Sequence, residues 1–167
     1  MEATANELFE DANDPNFPAS AQPLAESALS AMAAWWRATD NGRRSDILLN
    51  YQMLLVFNGR ALLKEGEQPY QQAKLLVELR NALVHFRPES VSLGVEVRLE
   101  KKLKRLFPPN PLWGSLWWPH GCLGSGCALW GFVTADGLVK RVLGDIGIPL
   151  RHLPHPELQS ASDREGK

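Results

Sequence analysis

Apolar residues recur every fourth position at Leu24, Ala28, Met32 and Trp36, which makes one stripe on a helix predicted over 23–38. Pro23 suits the first turn of that helix, where its missing N–H is not needed. Asp40-Asn41-Gly42 then supplies residues that tolerate positive φ, so the helix ends there in a tight connection. Ser45 or Asp46 can cap a second helix running to about Lys64. Its apolar positions (Ile47, Leu48, Tyr51, Leu54, Leu55, Ala61, Leu62) leave few polar ones on any side, the pattern of a helix in the middle of a bundle, with Gly66 as its stop. A third helix starts near Pro69 and carries Leu75, Leu76, Leu79, Leu83 and Phe86 until Pro88 forces its predecessor out of the α region. Leu99, Leu103 and Leu106 predict a short fourth helix ahead of Pro108. Prolines, tryptophans and glycines make 107–126 irregular. A fifth helix is expected from Cys127 to Leu143, although Gly131 and Gly137 each weaken it by about 1 kcal/mol relative to alanine. No strict two-residue alternation is long enough for a sheet. The expected fold is all-α: an antiparallel four- to five-helix bundle with an irregular Trp/Pro/Gly-rich loop before its last helix.

The ends read differently. Residues 1–20 hold Glu2, Glu7, Glu10, Asp11 and Asp14 ahead of Pro15 and Pro18, which predicts a flexible acidic lead-in pinned by Phe9 or Phe17. The helical domain then covers 21–147, and 148–167, with Pro149, Pro154 and Pro156, is expected to be a flexible tail. The 167 residues suit one domain, able to form a core without a disulfide or metal staple. A net charge of -1 excludes a strong overall field for nucleic acid and leaves room for a local basic patch. No run of apolar residues is long enough to span a membrane, and the acidic start lacks the order of a signal peptide. The expected location is therefore cytoplasmic, with Cys122 and Cys127 as free thiols.

The third helix ends in Arg80-Asn81-Ala82-Leu83-Val84-His85. Asn81 and His85, four apart, are neighbours on one helix face, so the Asn amide can hold an imidazole nitrogen and select its tautomer. Arg80, five residues from His85, lies roughly 140° away around the helix, so within one chain the two point apart unless the last turn distorts. A second copy packed by two-fold symmetry would bring an Arg and a His from different chains together. This Arg-Asn-x-x-x-His pattern at the end of a bundle helix resembles the signature of the HEPN domain family. The longer run Leu75–Glu89 is similar to one bacterial, largely uncharacterised branch of it. The leucines and lysines at 99–103 and the segment around Cys122 and Cys127 extend the likeness over about residues 24–145. The resemblance implies a HEPN-like bundle that dimerises through its second and third helices. Many members are metal-independent endoribonucleases, some of them toxins paired with a nucleotidyltransferase-like antitoxin; others have lost catalysis and bind proteins, nucleotides or RNA. Arg80, Asn81 and His85 match the catalytic form of the motif. No cofactor or metal is implied.

The chemistry suits those residue types. A ribose 2′-hydroxyl can attack its own phosphate without metal, with His85 as general acid or base, Arg80 on the phosphate charge and Asn81 orienting the ring. The blander reading is a histidine stabilised at a helix C-terminus and an ordinary surface arginine. Arg87 and the cations Lys101, Lys102 and Arg105 on the fourth helix are candidate RNA contacts; the alternative is a solvated charged face. Trp113, Trp117 and Trp118 are expected to fold back on the bundle or bury an interface, with base stacking as the functional alternative. His120, Cys122 and Cys127 do not make a strong zinc spacing, so the thiols are expected to pack as small apolar groups.

Overall fold

The computed structural model describes residues 1–14, 24–85, 98–112 and 117–149, and among these it is all-helical. The six α-helices are α1 (Glu2–Asn13), α2 (Glu26–Ala38), α3 (Ile47–Phe57), α4 (Tyr70–Val84), α5 (Arg98–Leu103) and α6 (Ser125–Ile146). A short kinked turn of wide helical pitch lies at Trp117–Gly121. No helix among the described residues is long and apolar enough to cross a membrane.

Helix α2 buries Ala28, Met32 and Trp36 from the predicted stripe, with Leu24 packed at its edge. It stops as the sequence requires: Asp40, Asn41 and Gly42 take φ of 55, 54 and 78°. The Asp40 N–H reaches the Arg37 carbonyl at 3.2 Å and the Asn41 N–H the Trp36 carbonyl at 3.0 Å, the paired closure of a Schellman end. Asp46 caps α3 by accepting from Leu48 N at 2.8 Å and Leu49 N at 3.3 Å.

Three expectations need correction. Helix α3 does not run to Lys64. Gly59, at φ 64°, donates to the Val56 carbonyl and Arg60 to the Leu55 carbonyl, so Asn58-Gly59 closes the helix seven residues early. Leu62 is left exposed, while Gln52 on α3 brackets Leu63 by donating to its carbonyl at 2.8 Å and accepting from its N–H at 2.9 Å. The second correction is at the start of the chain, where the acidic lead-in contains helix α1. Ala5 and Phe9 are fully buried, Phe9 stacks on Trp36, and the Arg37 guanidinium donates to Asn13 Oδ1 at 2.8 Å. Third, α6 is longer than expected at both ends. The expected roles of Phe17, Pro23, Phe86 and Pro88 fall outside the described residues, as does most of the 148–167 tail.

The core is in two parts. The larger joins α1, α2 and α3 to Ala73 early in α4 and to Leu138, Val142, Leu143 and Ile146 late in α6. The smaller joins Leu79 of α4 and Leu103 of α5 to Phe107, Trp118, Cys122 and Cys127. The early part of α4 thus shares a core with the late part of α6, and its later part with the first turn of α6, so the two helices run in opposite directions. Gly131 lies on the α4-facing side of α6, where an added β-carbon would make ordinary contact with the Leu76 side chain at 3.4 Å.

Candidate functional site

Helix α4 begins after Pro69 and holds its regular path through Val84. Leu79 faces the smaller core, with Leu75, Ala82 and Leu83 packed against it. The remaining sides of the last two turns carry Arg80, Asn81 and Val84, all exposed. His85 is the helix C-cap at φ -104° and ψ 27°, also exposed, and its N–H still reaches the Asn81 carbonyl at 3.0 Å. The motif therefore lies where the helix runs out into solvent.

Within the motif, Arg80 Nη1 donates to Asn81 Oδ1 at 3.0 Å. The sequence reading paired Asn81 with His85 instead. The difference has a local cause, since His85 has left helical geometry while the guanidinium of the neighbouring residue reaches the Asn oxygen. Asn81 thus steadies the arginine. Arg80 and His85 do not meet within this chain.

Glu78 was not singled out by sequence, although it lies three residues before Asn81 and seven before His85, on their side of the helix. Its Oε2 pairs with Lys102 Nζ of α5 at 3.1 Å, tying α5 alongside the motif-bearing end of α4. Lys101, Lys102 and Arg105 are exposed, as is Arg98. Lys104 has different neighbours: its ammonium is 2.6 Å from Glu100 Oε1 and 5.9 Å from the ring centroid of Trp117. Arg87 is outside the described residues.

Trp117 stacks on Phe107, and Trp118 is buried in the smaller core, which fits the expectation that they fold back on the bundle. Trp113 lies outside the described residues. Cys122 and Cys127 are buried free thiols beside them. Burial pushes the Cys122 thiol up to about 12, helped by the nearby Cys127, and the thiol donates to the Pro119 carbonyl at 2.9 Å. Burial raises Cys127 as well. Among the described residues no three His, Cys, Asp or Glu side chains gather in a way that could hold a metal ion.

Chemically, the end of α4 offers a guanidinium with a fixed neighbour, an amide and an accessible imidazole, all beside a row of cations. Such groups suit a phosphodiester better than an apolar or cationic ligand. Comparison with protein-family models, with curated proteins and with solved structures returns no match.

Proposed function

We propose that this chain is a HEPN-type, metal-independent endoribonuclease that works as a homodimer. The observation that carries the reading is the exposure of Arg80, Asn81 and His85 together at the end of α4. The 2′-hydroxyl of RNA attacks the adjacent phosphorus while its proton passes to a base. The bond from phosphorus to the 5′-oxygen breaks, that oxygen takes a proton, and a 2′,3′-cyclic phosphate remains. His85 serves in the proton transfers and Arg80 stabilises the phosphorane charge. The two groups do not meet within one chain, so on this reading the working site pairs the Arg80 of one protomer with the His85 of the other. The pairing through the second and third predicted helices, now α3 and α4, extends onto α6. There Leu129, Phe132 and Val133, at spacings of three and one, form an exposed apolar stripe, and Val84 is 62% exposed at the end of α4. A cytoplasmic toxin with a nucleotidyltransferase-like antitoxin as partner is the biological setting that the resemblance suggests.

The test is cleavage of single-stranded RNA in EDTA by wild type and His85→Ala purified in parallel. Loss of an acid–base group should cost about 100-fold or more in rate. Equal cleavage by the two proteins would assign the activity to a contaminant. One observation favours a second reading, a catalytically inactive module that binds RNA, a nucleotide or a protein: the Arg80 guanidinium is already engaged by Asn81. That module would show no cleavage in either protein and unchanged binding in His85→Ala.

A further inference from the structure

Five cations lie between positions 98 and 105, and the structure divides them. Lys104 is drawn aside by Glu100 and Trp117. Arg98, Lys101, Lys102 and Arg105 fall at spacings of three, one and three, which is a single stripe on a helix. The coil continues past Leu103, because the Lys104 N–H reaches the Glu100 carbonyl at 2.9 Å and the Leu106 N–H the Leu103 carbonyl at 2.9 Å. The stripe therefore extends about 10 Å. All four side chains are exposed, and Glu78 takes up only one of the charges. The opposite face is anchored, with Leu103 buried and Leu99 packed against the smaller core. This anchoring argues against a membrane surface, which would need that apolar face free to insert.

We infer that the α5 stripe is a phosphate track that holds the backbone of single-stranded nucleic acid without reading its sequence and leads it to the end of α4. The direction of the lead rests on the nuclease reading, whereas the binding does not. A track of ammonium and guanidinium groups makes no use of the 2′-hydroxyl. Single-stranded DNA therefore binds it as RNA does, is not cut, and acts as a competitive inhibitor of RNA cleavage. A stripe of this length engages about two or three phosphates, which predicts a slope of log affinity against log salt of about -1.4 to -2.1.

The experiment uses a labelled single-stranded DNA 12-mer in fluorescence anisotropy across a salt series, with three proteins. Wild type should bind with the stated slope. Lys101→Glu with Arg105→Glu should weaken binding at least tenfold and flatten the slope. Arg43→Glu with Arg44→Glu, an equal charge change on the exposed turn between α2 and α3, should change affinity by less than about threefold. The proposal is overturned if wild type does not bind, if the two double variants weaken binding equally, or if anionic lipid vesicles bind wild type more tightly than the DNA does. Circular dichroism of the α5 variant establishes that it is folded. DNA binding with the stated pattern but no RNA cleavage would overturn the nuclease reading and leave the track intact.

Discussion

Cys122 shows how a single side chain reports its surroundings. Its thiol is fully buried, donates a hydrogen bond to the Pro119 carbonyl, and is pushed up to about 12 from an ordinary value of 9. Below pH 9 both folded and unfolded chains keep this proton, so the group confers no pH dependence. Above pH 9 the unfolded chain releases it first, and stability falls as pH rises toward 12. Cys127 and Tyr51, both raised by burial, act in the same sense. Urea midpoints should be level from pH 7 to 8.5 and decline from pH 9 to 11, and Cys122→Ala should decline less steeply over that range. A parallel decline in the variant would show that this thiol is not the group responsible. At neutral pH neither thiol ionises readily, so both should resist alkylation until the chain unfolds. The sequence supported this inert reading through poor zinc spacing. It did not show that the thiols help close a second core beneath α5, because that core is assembled from residues as far apart as Leu79 and Cys127.

Helices were legible where the apolar spacing agreed with the signals at their ends. In α2 the stripe and the Asp40-Asn41-Gly42 stop agree, and the structure follows both. In α3 they disagree: Ala61 and Leu62 continue the apolar run, but Asn58-Gly59 is a helix end, and the end signal wins because it satisfies two carbonyls at once. Helix α1 was obscured by its acidic residues. Ala5, Leu8, Phe9 and Ala12 carry the i, i+3, i+4, i+7 pattern of a buried stripe all the same. The glycines of α6 separate into kinds. Gly131 meets Leu76, and Gly147 ends the helix at φ 79°. Gly137 has nothing within 4 Å of an added β-carbon and lies within the helix, so its freedom serves no visible purpose there. Gly137→Ala should therefore stabilise the chain by about 0.5–1 kcal/mol, and Gly147→Ala should destabilise it by a similar amount. Thermal melts of the two variants check both signs, and a lower melting temperature for Gly137→Ala would mean that a close neighbour needs that position small.

At the scale of the molecule the question is whether one chain holds a complete site. The sequence placed the motif at the end of a bundle helix, and the structure puts it in solvent beside the cations of α5. What sequence could not supply is which groups meet, since the Arg80–Asn81 and Glu78–Lys102 pairs depend on the path of the last turn of α4 and on the docking of α5. On the proposed composite reading, the guanidinium of one chain and the imidazole of another serve one phosphate. This composite arrangement makes a prediction that no single-chain site shares. Arg80→Ala and His85→Ala should each abolish RNA cleavage. Mixed in equal amounts and allowed to exchange subunits, half of the dimers become heterodimers. Each heterodimer has one site lacking both groups and one site with both native residues, so cleavage should return to roughly a quarter of the wild-type rate. A site contained within one chain would leave the mixture as inactive as its components. A mixture that stays inactive although subunit exchange is verified would place the chemistry within a protomer, and the pairing across the α4 and α6 surfaces would lose its functional basis.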